Sequence, residues 1–200
     1  MNTENFSPLK NIDLDFIENK QMEIMFQYEP TEKEIFKNFD IDTYEDQEIF
    51  KKYCWRVTEE ISEALEDTEH PQHFKEEIVD AFNFLIELYN LYGWSVTNLE
   101  WIFNKENIKN FGKKKLDPVT AEIFSIKVIK SLGLTANLLK NRKWRQSQYL
   151  VDLLIFEKRF KQVWIDFQQL FWNCGITPEE LFQQWSLKYQ VNLYRLRTNY

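Results

Sequence analysis

With 200 residues, 44% of them hydrophobic and 16% aromatic, the chain is long enough to bury a core in one domain or two small ones. Four Gly and five Pro are too few for the many tight turns of a β-sandwich, which points to an all-α fold. A net charge of −7 argues against direct nucleic-acid binding, which calls for a basic stripe, yet it allows a nucleotide whose phosphates a divalent cation neutralises.

The opening MNTENFSPLKN has no apolar stretch of the export-signal kind, and no run of ~18 apolar residues follows it. These features predict a cytoplasmic protein with no membrane span. Cys54 and Cys174 are far apart and form no CxxC, so buried thiols are expected.

Helical periodicity governs the chain. The first helix is expected over about Leu14 to Tyr28, ended by Pro30, with Phe16, Ile17, Ile24 and Met25 inward. A short one follows over Glu32 to Phe39, with Thr31 as its cap. The next, Tyr44 to Glu66, carries Phe50, Cys54, Val57, Ile61 and Ala64 at the spacing of a buried stripe. Asp67 to His73 reads as a connector, and its two histidines, His70 and His73, as exposed loop residues. A helix over Phe74 to Tyr92 then stops at Gly93. Ser95 to Phe111 has the pattern of another helix. Gly112 to Pro118 combines Gly, a lysine run and Pro, the clearest boundary in the chain. Beyond it, helices are expected over Thr120 to Leu139 and over Ser147 to Cys174. Gly175 ends the latter, and Thr177-Pro178 opens the last helix. The halves echo each other: DAFNFLIELYNLYGW and DFQQLFWNCGI both run from an aromatic helix into a Gly turn.

Two acid-x-x-acid pairs carry the chemistry. Glu60 and Glu63 lie on one helix, Glu77 and Asp80 on the next, each pair on a single face. Both pairs border the apolar stripes of their helices. If these helices pack antiparallel, four carboxylates meet in a partly dry cleft, where unpaired charge is costly and an oxygen-ligated divalent cation relieves it. An acidic solvated face is the plain alternative, given Glu59, Glu66, Asp67, Glu69 and Glu76 nearby.

At these residues, EEISE followed by EEIVDAFNFLIELY, the sequence resembles the all-α nucleoside triphosphate pyrophosphohydrolases. This superfamily comprises the MazG-like enzymes and the dimeric dUTPases, and the likeness is greatest to phage dCTP/dUTP pyrophosphatases. The spacing from Asp80 to Gly93 belongs to the resemblance. The C-terminal KYQVNLYRLRTNY is similar to that family's second motif, with Lys188, Asn192, Arg195 and Tyr200 at matching positions. Tyr189, Leu193 and Asn199 depart from it. Gln21 fits the base-reading position of the first helix, whereas Met25 stands where a second amide is expected. Asn107, Asn110 and Lys113 form a rival phosphate motif in KENIKNFGKKK.

The resemblance implies one all-α domain over residues 1–200, a helical bundle of two degenerate four-helix halves. The metal-binding half would span about 12–111 and the second half about 118–200. It implies Mg²⁺ held by Glu60, Glu63, Glu77 and Asp80, with Glu63 as general base. Lys188, Asn192, Arg195, Tyr200 and Gln21 would bind the substrate. The implied reaction cleaves dUTP or dCTP to the monophosphate and pyrophosphate, in a homodimer. A purine or modified nucleotide as substrate, or a helical interaction protein that has lost turnover, stays open.

Overall fold

The computed structural model describes residues 14–99 and 115–198, and among these the regular structure is entirely helical. The helices are α1 (Leu14–Tyr28), α2 (Glu32–Asn38), α3 (Tyr44–Glu66), α4 (Pro71–Leu91), α5 (Pro118–Ala136), α6 (Leu153–Asn173) and α7 (Pro178–Thr198). No helix among them is long and apolar enough to cross a membrane.

Two hairpins form the centre. α3 and α4 are joined by the four residues 67–70 and pack along their length, so they run antiparallel. α5 and α6 pair in the same way, and α5 also lies on α3. Large aromatics knit the hairpins together. Phe50 meets the rings of Phe156 and Phe160 at centroid distances of 5.3 Å each. Tyr89 stacks on Phe160 at 4.1 Å and donates its hydroxyl to the Phe160 carbonyl oxygen at 2.6 Å. Such ring pairs add about 0.5–1.5 kcal/mol each beyond the area they bury. α7 and α1 complete the fold by packing on α4 and on each other.

The echo between the halves is visible at two turns. Gly93 (φ 80°) and Gly175 (φ 71°) both take the left-handed conformation that glycine adopts at least cost. The Trp94 N–H reaches back to the Tyr89 carbonyl and Gly93 N–H to Asn90, while Ile176 N–H reaches Phe171 and Gly175 N–H reaches Trp172. α4 and α6 therefore end in the same Schellman turn.

Several boundaries differ from expectation for local reasons. α4 begins at Pro71, inside the expected connector, because proline at the first helical position forgoes an N–H that would lack a partner anyway. His70 and His73 therefore sit at the start of α4 and are exposed, both beside Asp67. α5 starts at Pro118, where Asp117 accepts the Thr120 N–H, and it ends at Ala136. The segment 147–152 is not helical. Asn141 takes both the N–H and the carbonyl of Tyr149, and the Asp42 carboxylate takes the Val151 N–H at 2.7 Å, so α6 starts only after the Asp152 cap. Where a helix was expected over Ser95 to Phe111, Val96–Asn98 forms a short 3-10 turn. The Glu18 carboxylate holds Ser95 Oγ (2.9 Å) and Val96 N–H (2.8 Å) against α1. The remainder of that segment, with Asn107, Asn110 and Lys113, lies outside the described residues, as does Tyr200. Cys54 and Cys174 are both buried thiols, as expected.

Candidate functional site

The antiparallel α3–α4 hairpin sets one turn of each helix side by side. Carboxylate oxygens of Glu60, Glu77 and Asp80 all lie within 4.8 Å of one another, each residue being half-buried. Glu63 is exposed and does not belong to this group, though its charge acts on both Glu60 and Glu77. Burial and then the neighbouring Asp80, Glu63 and Glu77 push the Glu60 carboxyl from an ordinary 4.5 up to about 8, so it donates a hydrogen bond to Glu77 at neutral pH. Burial raises Glu77 and Asp80 as well. The cluster thus binds a proton where carboxyls ordinarily do not, the signature of negative charge short of a counter-cation.

α7 supplies a facing cationic edge. Lys188, Asn192 and Arg195 are spaced four and three residues apart and so project from one face. The Lys188 ammonium contacts the Asp80 carboxylate, and Arg195 opposes the same charge from farther away. The Tyr28 hydroxyl donates to the Asn192 carbonyl oxygen at 3.1 Å, which ties this part of α7 to α1. The capping box at the start of α7 fixes the helix. Thr177 Oγ1 accepts the Glu180 N–H while the Glu180 carboxylate accepts the Thr177 N–H.

Between these edges lies a cleft of about 380 Å³. α3 and α4 contribute Glu60 and Asp80 to its lining, and α7 contributes Lys188, Asn192 and Arg195. Its inner end is formed by α1 and α4, where Gln21 is buried and donates its amide N–H to Glu87 at 2.8 Å. Of the residues singled out in the sequence, then, Glu60, Asp80, Gln21, Lys188, Asn192 and Arg195 line one cavity, with Glu77 in the carboxylate group at its edge. Met25 lines it too, in the place of the expected second amide.

The lining residues that sequence reasoning missed include Arg56, Asn83 and Glu87. Arg56, paired with Glu29 at 3.1 Å, lies over the Phe84 ring at 5.2 Å. Asn83 and Glu87 are 6% and 3% exposed and share the face of α4 that carries Asp80. The signal for them was present: Asn83 and Glu87 interrupt an otherwise apolar run, DAFNFLIELY, at spacings of three and seven from Asp80.

The donor set suits a hard divalent cation. It consists of carboxylate oxygens alone, and two oxygens sharing one such cation are at most about 4–5 Å apart. Comparison with known proteins gives no further guidance, since no protein-family model, curated protein or solved structure matches the chain.

Proposed function

We propose that this protein is a Mg²⁺-dependent deoxynucleoside triphosphate pyrophosphohydrolase of the MazG-like/dimeric dUTPase type, which forms a monophosphate and pyrophosphate. The observation that carries the reading is one cleft lined by three sets of groups. A carboxylate cluster stands opposite a Lys–Asn–Arg edge, and buried polar side chains close the inner end. Glu60, Glu77 and Asp80 would hold the cation. Mg²⁺, when bound, supplies Lewis-acid charge to the triphosphate and makes water a better nucleophile near neutral pH.

The chain's own groups do the rest. Arg195 offers a planar fork suited to two phosphate oxygens, and Lys188, released from Asp80 by the cation, adds a point charge to the same chain. Asn192 hydrogen-bonds a phosphate or the sugar. Glu63, exposed and one turn from Glu60, accepts the proton of the attacking water. The water oxygen bonds to the α-phosphorus, the bridge to the β-phosphate breaks, and the electron pair leaves with pyrophosphate. Gln21 lies at the base end of the cleft.

A homodimer fits the apolar side chains left exposed on α5, just before α6 and at its start, among them Val119, Ile123, Ile126, Leu150 and Leu154. One observation favours a rival reading: the Lys188–Asp80 contact is what a fold that had replaced its cation with a lysine would keep. Pyrophosphate release across the eight common NTPs and dNTPs, with and without Mg²⁺, separates the two. Mg²⁺-dependent release from at least one nucleotide is expected. No release from any of them, with no metal-dependent stabilisation, would establish the rival.

A further inference from the structure

The inner end of the cleft contains two buried oxygen atoms without hydrogen-bond partners, Asn83 Oδ1 and Glu87 Oε2. Both residues are more than nine-tenths buried and line the cavity. They are four apart on α4 and therefore share a face. A buried acceptor that lacks a donor costs about 1–3 kcal/mol, so two at the end of a binding cleft call for a ligand that donates.

Above about pH 7, where Glu87 is ionised, neither side chain can readily turn to offer a donor. The Asn83 amide nitrogen hydrogen-bonds the Asp80 carboxylate, which accepts only. A flipped amide would put its oxygen against that carboxylate. Glu87 Oε1 is engaged by the Gln21 amide, which leaves Oε2 for the cleft. The same hydrogen bond uses one of the two N–H donors of Gln21.

We propose that Asn83 and Glu87 make this a site for a nucleotide whose base carries an exocyclic amine, and that they reject the matching base with a carbonyl in its place. The proposal rests on the triphosphate reading above and specifies its substrate class. An amine has two hydrogens to offer two acceptors. A carbonyl at the same position brings a third acceptor to them and leaves both unpaired. Uracil and thymine are thereby disfavoured against cytosine, and hypoxanthine against adenine. Burial raises the Glu87 carboxyl to about 7, with Arg56 opposing and Glu32 and Glu29 adding to the shift, so Oε2 accepts at about pH 8.

The test is calorimetric binding of the non-hydrolysable α,β-imido analogues of dCTP and dUTP, and of dATP and dITP, to the full chain in Mg²⁺ at about pH 8. Inorganic tripolyphosphate serves as the base-free probe. Within whichever pair binds, the amine member should bind about ten- to a hundredfold tighter, the range that one bidentate base contact gives. Glu87→Gln should remove most of that preference. Its carbonyl would take the Gln21 hydrogen bond and its NH₂ would face the cleft as a donor, and its thermal melt reports whether it folds. Equal or tighter binding of the carbonyl members, or a preference unchanged in a folded Glu87→Gln, would overturn the proposal while leaving the triphosphate reading intact. Binding of no analogue and no tripolyphosphate would overturn both.

Discussion

Glu87 is a carboxyl buried in the α1–α4 contact with one oxygen unpartnered, so its ionisation should oppose folding. Burial is the largest cause of its shift, from an ordinary 4.5 up to about 7; the Gln21 hydrogen bond and Arg56 work against it. In the unfolded chain the group ionises near 4.5. In the folded chain it keeps its proton until about 7. Between those values the folded state binds more protons, so the contribution is fully present below about pH 4.5 and is lost as pH rises through about 7. The interval multiplied by ~1.4 kcal/mol per pH unit gives about 3 kcal/mol. Glu87→Gln keeps an oxygen for Gln21 and removes the titration. Urea unfolding in EDTA, from about pH 4.5 to about pH 8, should show the variant gaining about 3 kcal/mol on the parent protein across that range. The comparison cancels the titrating groups that are not coupled to Glu87. A stability difference that stays flat with pH would refute the claim that Glu87 is held protonated by burial.

Further predictions concern the site and the frame. Lys188→Met should raise KM for the triphosphate about tenfold or more while tightening Mg²⁺ binding measured by calorimetry without nucleotide, since the lysine and the cation share Asp80. Asn141→Ala removes three side-chain hydrogen bonds, two to the carbonyls of Asp42 and Tyr149 and one from the Tyr149 N–H. It should cost about 3 kcal/mol in urea unfolding. The two glycines make an opposed pair. Gly93→Ala forces a side chain into φ 80° and should cost about 1 kcal/mol, although nothing lies within 4 Å of the added carbon. Gly133→Ala, inside α5 and equally unobstructed, should gain about 0.5–1 kcal/mol, and thermal melts report both signs.

Features coded by local spacing were readable from the sequence. The apolar stripe of α3 gives Phe50, Val57, Ile61 and Ala64, all buried. The acid pairs, set on two consecutive helices, gave three carboxylates that meet. Lys188, Asn192 and Arg195 were legible because four-and-three spacing fixes a face, whatever the face meets. What escaped was set by long-range contacts. The stretch 147–152 has helical composition, yet Asn141 and Asp42 hold its backbone extended through hydrogen bonds from distant positions. Ser95–Asn98 yields to the carboxylate of Glu18 in the same way. Glu63 shares a helix and a face with Glu60 but stays exposed and outside the carboxylate group, a difference that three-residue spacing alone does not encode. Asn83 and Glu87 were overlooked because a single polar residue in an apolar run reads as a break in the stripe until the structure reveals a cleft beneath it.

The central claim is that the carboxylates of α3 and α4 enable triphosphate cleavage. Pyrophosphate release by the parent protein and by Glu77→Gln, at saturating Mg²⁺ with the best nucleotide substrate, tests it most directly. The account predicts a loss of at least about a hundredfold in kcat/KM for the variant, about 2.7 kcal/mol of transition-state stabilisation. Full Mg²⁺-dependent turnover by a folded Glu77→Gln would contradict it.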